Sequence, residues 1–308
     1  MVQAVGVDGY GKDRGRNMRG EKEMFDLILG IAERDERIRG VYMNGSRTNP
    51  NAPKDIFQDY DVVYVVRETG SFIGDKHWIE QFGEILYMQL PDEFPDEDSF
   101  PEKCYGWLVQ FTDGVRMDLH VETIEKTLEE NFPDSLTMIL MDKDNRFRKL
   151  PESNDSSYFV ERPGEVQYHC TCNEFWWCLN NVAKGLWRDE MPYVQDMVNF
   201  VVRKQLEKML SWKVGILTDF SVSVGKAGKY LHRWLEKEEW EQYLSTWFSN
   251  DREEAWNAVF RMCDLFEKTA KYVGNVLGYA YNETEGAGSR GYLEHVRTLP
   301  EDAEEVYQ

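Results

Sequence analysis

The hydrophobic pattern of this chain turns from strand-like runs to long helical stretches near "ERPGE" around Arg162 to Glu165, and that change limits the folds open to it. Upstream, apolar residues come in short β-branched and aromatic runs: "VYMNGSRT", "DVVYVV" from Asp61 to Val66, and the pair "GWLVQFT" and "VRMDLHV". The last two flank Asp113-Gly114, a dipeptide that tolerates positive φ and signals a hairpin. On the second of them Val115, Met117, Leu119 and Val121 alternate with Arg116, Asp118 and His120, so one face is apolar and the other polar. Downstream the spacing turns helical. Phe175, Trp176, Leu179, Val182, Ala183, Leu186 and Trp187 form a core stripe, while Asn173, Asn180, Lys184 and Arg188 mark another face of the same helix.

Further helices are expected from Glu21, with Met24, Phe25, Ile28, Leu29 and Ala32 inward and a stop at Gly40. Others should run from Tyr193 to Val214, Lys226 to Phe248 and Arg252 to Tyr281. The sum is an α/β first half with a small mixed sheet and a helical second half, with a cleft between them as the natural place for a ligand. Residues 1–17 lack periodicity, and "GYGKDRG" lacks the preceding strand and following apolar helix of a phosphate loop, so this stretch reads as a flexible tail. "LPDEFPDEDSFPEK" reads as a solvated loop that would also make an acidic rim.

Charge narrows the partner. With 36 Lys and Arg against 56 Asp and Glu in 308 residues, the net charge of -20 repels a phosphate backbone and favours a cationic ligand. No nucleic-acid partner is expected. The absence of a long apolar run or a secretory leader gives no membrane partner and a cytoplasmic address, and the protein is expected to be a monomer. The five cysteines, an odd number, read as free thiols. His169, Cys170, Cys172 and Cys178 in "HCTCNEFWWC" invite a metal reading, but a helix spreads them over different faces and their spacing matches no common zinc pattern.

The chemistry concentrates in "GSRTNPNAPKDIFQDYD", Gly45 to Asp61. On a strand Asp59 and Asp61 would project from one face about 6.5–7 Å apart, a pair suited to Mg²⁺ carried by a nucleoside triphosphate. Gly45 would let backbone amides approach the phosphates, Ser46 would add a hydroxyl donor and Arg47 a cation. If the strand of Asp118 lies beside that of Asp61, three carboxylates converge, and Asp118 becomes either a proton acceptor or a further metal ligand. Alone, an Asp-x-Asp is as well explained by turn geometry, and Asp118 by an ion pair with Arg116.

Gly45-Ser46, Asp59-Tyr60-Asp61 and Asp118 together resemble the nucleotidyltransferase superfamily related to DNA polymerase beta. "DERIRGVYMNGSRTN", "DGVRMDLHV", "CNEFWWCLNNVAKGLWRDE" and "VGKAGKYLHRWL" resemble the aminoglycoside 6-adenylyltransferases, or streptomycin adenylyltransferases, from about Met18 to Tyr281. The resemblance implies an α+β fold, a nucleotidyltransferase sheet domain with flanking helices at 18–160 and a helical-bundle substrate domain at 161–285; residues 286–308, weakly matched and ending in "EDAEEVYQ", read as an acidic tail. It implies an enzyme that moves AMP from Mg-ATP to a hydroxyl of an aminoglycoside, the 6-hydroxyl of streptomycin, releasing pyrophosphate and conferring resistance. Asp59 and Asp61 would then bind magnesium, Gly45, Ser46 and Arg47 the triphosphate, and Asp118 would be the general base. Lys184, Lys226 and Lys229 are candidates for meeting the triphosphate from the helical half, and Glu174 for meeting the aminoglycoside. The alternatives are another acceptor on the same fold, or a protein that binds nucleotide or drug without chemistry.

Overall fold

The computed structural model describes residues 17–94 and 100–307, so the expected tail falls outside it except for Asn17, and the acidic loop is described only in part. The chain divides into two compact units, one ending at Ser157 and the other beginning at Tyr158.

The first unit is a six-stranded mixed sheet with helices. It runs α1 (Glu21–Arg34), β1 (Ile38–Asn44), a 3₁₀ turn at Ser46–Thr48, β2 (Tyr60–Val66), α2 (Gly70–Ile73), β3 (Ile85–Gln89), β4 (Cys104–Phe111), β5 (Arg116–Thr123), α3 (Ile124–Glu130) and β6 (Met138–Asp142). Strand order is β3-β4-β5-β2-β1-β6. The hairpin at Asp113-Gly114 joins antiparallel β4 and β5, while β5 lies parallel to β2.

The two faces of this sheet differ, and the difference positions the site. Val41, Met43, Tyr60, Val62, Tyr64, Met117, Leu119 and Val121 point to one side and join Met24 and Ile28 of α1 in the main core. Each such side chain, fully removed from water, contributes roughly 1.5–3 kcal/mol. The residues between them point the other way. There Tyr42, Val63 and Val65 meet Phe132, with Ile139, Phe147 and Leu150 against them, in a smaller cluster that does not include the half-buried Asp61 and Asp118 near the β2 and β5 starts. On that side Glu122 is buried but satisfied, by Tyr42, Thr127 and a 2.7 Å ion pair to Lys126, and Thr123 caps α3.

The second unit is all helical: α4 (Glu165–Trp187), α5 (Met191–Asp196), α6 (Arg203–Leu217), α7 (Lys237–Leu244), α8 (Arg252–Leu277) and α9 (Glu283–Thr298). A π-helical turn at Met197–Val202 joins α5 to α6. The apolar stripe of α4 is buried in its core, with Phe175 stacked on Phe266 of α8 at 3.6 Å between ring centroids. The whole is an α+β protein.

Three helical expectations are corrected. The first helix ends at Arg34 and not at Gly40, which lies inside β1. Lys226 to Phe248 is not one helix: Gly225, Ala227 and Gly228 all have positive φ (72°, 55° and 68°), which breaks the backbone into 3₁₀ turns before α7 begins. Nor do residues 286–298 form a tail, because α9 continues through them and buries Leu293 and Val296 in the helical core. No helix among the described residues is long and apolar enough to cross a membrane.

Candidate active site

Parallel pairing of β2 with β5 sets Asp61 directly beside Asp118, and antiparallel pairing of β1 with β2 sets Asn44 on the other side of Asp61. Paired residues share a face, so these three side chains form a row at one end of the sheet. Asp59 sits one residue before β2, outside the regular strand, and its carboxylate still reaches the same volume. One oxygen from each of Asp59, Asp61 and Asp118 lies within 4.8 Å of the others. Three carboxylates this close, each half-buried, form a donor set of hard oxygens that fits a divalent cation such as Mg²⁺.

The electrostatics agree with that fit. The Asp61 carboxyl is pushed up to about 7, first by its burial and then by the charges of Asp59 and Asp118, with Arg116 and Arg47 offsetting part of the effect. Arg116 answers the remaining charge from within the chain. Its guanidinium donates to both oxygens of Asp118 at 3.0 and 2.6 Å and stands 3.7 Å from Asp59. The two readings of Asp118 that the sequence left open, ion pair and cluster member, both hold.

The turn that follows β1 is built against the carboxylates. Gly45 has φ 79°, and a Cβ there would lie 1.9 Å from Asp61 Oδ2, so only glycine allows the turn to pack on that side chain. The Thr48 hydroxyl lies within hydrogen-bond reach of the Gly45 and Leu136 carbonyls, and Gln58 donates to the Ser46 carbonyl. Among the described residues the Ser46 hydroxyl has no hydrogen-bond partner, leaving it free to meet a ligand.

Arg47, expected at the triphosphate, is also bonded within the chain. Nε donates to the Asp59 carbonyl at 2.9 Å, Nη2 donates to the Gln58 carbonyl at 2.8 Å, and the guanidinium lies 3.7 Å from the centroid of the Tyr60 ring. It clamps the segment that presents Asp59. Removing charge-assisted bonds to part-buried carbonyls costs roughly 1.5–3 kcal/mol each. Arg47→Met should therefore lower unfolding free energy by about 3–6 kcal/mol in urea melts and weaken Mn²⁺ binding measured calorimetrically. An unchanged urea midpoint with lost ATP affinity would return Arg47 to the phosphates.

The remaining sequence candidates lie in the helical unit. Lys184 is half-buried on the polar stripe of α4, with Asn180 and Trp177 beside it at one pocket. Lys226 and Lys229 are exposed on the 3₁₀ turn rather than at a helix start, with Lys229 5.1 Å from the Tyr230 ring. Glu174 is exposed and accepts a 3.5 Å contact from the Cys178 thiol. Cys172 and Cys178 are buried and Cys170 is exposed, so the thiols of "HCTCNEFWWC" face different ways. Sequence reasoning missed Asn44 and Gln58, whose roles depend on the register and on the turn.

With this geometry in view the comparisons are decisive. The family model described as streptomycin adenylyltransferase matches residues 18–296. The chain belongs to that family. Among its relatives is an aminoglycoside 6-adenylyltransferase of Campylobacter jejuni, 39% identical over 267 residues, covering 86% of this chain and 91% of that protein. Another, of Bacillus subtilis (strain 168), is 38% identical over 269 residues and covers 86% and 93%. A crystal structure of an aminoglycoside 6-adenyltransferase from Bacillus subtilis is 32% identical, covers 91% of this chain and all of that one, and superposes with a TM-score of 0.46. Membership of the streptomycin adenylyltransferase family makes the chain a nucleotidyltransferase, and the matched span takes in both structural units.

Proposed function

We propose that the protein transfers AMP from Mg-ATP to a hydroxyl of an aminoglycoside, namely the 6-hydroxyl of streptomycin, and releases pyrophosphate. The observation that carries this reading is the convergence of Asp59, Asp61 and Asp118 beside the Gly45-Ser46 turn in a chain of this family. The names of the relatives support an aminoglycoside acceptor, and the net charge of -20 suits a substrate bearing guanidinium groups.

In this reading Asp59 and Asp61 hold Mg²⁺, and Asp118 accepts the proton of the attacking hydroxyl. The bound ion supplies neutralising charge for the triphosphate and its leaving group. Gly45 and Ser46 orient the phosphates through backbone amides and the free hydroxyl. A bond forms between the acceptor oxygen and the α-phosphorus, the α–β phosphoanhydride bond breaks, pyrophosphate leaves, and the proton goes to Asp118. Arg116 fixes the Asp118 carboxylate before substrates arrive. Catalysis here is chiefly positioning and charge stabilisation. Lys184, Lys226 and Lys229 are proposed to meet the triphosphate and Glu174 the aminoglycoside. We propose residues 18–160 as the catalytic domain and 161–285 as the substrate domain, in a monomeric cytoplasmic enzyme.

Pyrophosphate release from Mg-ATP across a panel of aminoglycosides tests the reading. Release should require streptomycin or a close analogue. Release without acceptor, or with none of the panel, would contradict it.

A further inference from the structure

The helical unit contains a groove whose chemistry suits the proposed acceptor. It runs along the exposed stripe of α4 against the start of α9 in two compartments, of about 540 and about 470 Å³. The first is lined by Trp177, Asn180, Lys184 and Tyr292, the second by His169 and Tyr281 among others, and Asn173 and Glu285 line both. Their shared walls make an elongated site, longer than one ring needs.

We propose that this groove binds a cationic, hydroxyl-rich oligosaccharide-like molecule, the aminoglycoside itself, with Glu285 as charge anchor and Trp177 as stacking platform. The inference rests on the reading under Proposed function and adds to it the place where the acceptor sits.

Glu285 is the first support. It is half-buried, accepts from Asn173 Nδ2 at 3.2 Å, and among the described residues has no lysine or arginine partner. Its neighbour Glu283 differs, being paired with Lys271 at 2.8 Å. A carboxylate held in place by an amide and left without a counter-ion is ready for a guanidinium or ammonium group, the bond type worth most in a partly desolvated site. Trp177 is the second. Its indole is 68% exposed although the adjacent Trp176 is buried, so it offers an aromatic face to a ligand cation or to the apolar face of a ring. The amides of Asn173 and Asn180 supply donors and acceptors for ring hydroxyls. A nucleotide suits the groove less, because its phosphates would meet Glu285. Lys184, likewise unpaired among the described residues, lines the first compartment only and stays available to the triphosphate in our reading, so the ligand's cations belong beside Glu285, on the wall that both compartments share.

The test uses the full chain with streptomycin as probe, by titration calorimetry without ATP and by steady-state kinetics with Mg-ATP. Glu285→Gln and Trp177→Ala should each weaken drug binding by at least about tenfold and raise its KM comparably. The KM for ATP and the melting temperature should stay near wild type. If both variants keep wild-type drug affinity while the wild type adenylylates streptomycin, this inference falls and the function stands. Loss of ATP affinity with drug affinity intact would make the groove a nucleotide site and also overturn it. If the wild type neither binds nor modifies any aminoglycoside, both readings fall together.

Discussion

Asp61→Asn should abolish adenylyl transfer and at the same time raise the melting temperature of the metal-free protein at pH 8. Both effects come from one cause. Asp61 is half-buried beside Asp59 and Asp118, and its carboxyl is pushed up from 3.8 to about 7. Between those values the folded state holds a proton that the unfolded state has released, so stability falls as pH rises through 7. A shift of this size corresponds to roughly 4 kcal/mol against folding once Asp61 is ionised. An amide of the same shape removes that penalty. The gain should be several degrees at pH 8 and shrink towards pH 5, where wild-type Asp61 is still protonated. Mg²⁺ should reverse the order, stabilising the wild type by mass action and the variant far less. Differential scanning calorimetry at pH 5 and 8, with and without Mg²⁺, reads all of this. A variant destabilised at pH 8 would mark Asp61 as structural.

Gly45→Ala should be the most damaging glycine-to-alanine change among the described residues. The backbone at Gly45, φ 79° and ψ -159°, is a region that side chains enter only with strain of about 1–3 kcal/mol. The new Cβ would also need the space of Asp61 Oδ2, 1.9 Å away, so the carboxylate must move. A displacement near 1 Å of a group that positions the reacting atoms lowers turnover by about a hundredfold. The loss should appear in kcat with ATP binding weakened as well, because the same turn faces the phosphates in our reading. Wild-type kcat in Gly45→Ala would show that the turn does not constrain Asp61.

What the sequence revealed and concealed follows from the range of the forces involved. The β4–β5 hairpin and the two faces of β5 were legible because Asp113-Gly114 and the period-2 alternation are local signals. The meeting of Asp61 with Asp118 was legible only as a condition, since parallel pairing of β2 with β5 joins residues far apart in the chain. The intrachain bonds of Arg47 were hidden, because a guanidinium beside a Gly-Ser turn looks free until the carbonyls of Gln58 and Asp59 fold back onto it. The turns around Lys226 had a signal in Gly225 and Gly228, both poor helix formers, but the positive φ of Ala227 that completes the break has none. In α9 two buried side chains, Leu293 and Val296, were too thin a stripe to stand out among glycines and charges.

The central claim is that the carboxylate row directs AMP onto an aminoglycoside, and mass spectrometry of the drug tests it most directly. After incubation of wild-type protein with streptomycin and Mg-ATP, the drug should gain the mass of one AMP group, with the new ester at the 6-hydroxyl by NMR. The same incubation with Asp61→Asn should leave it unmodified. Streptomycin recovered unchanged from the wild-type reaction, or modified equally by the Asp61→Asn protein, would contradict the account.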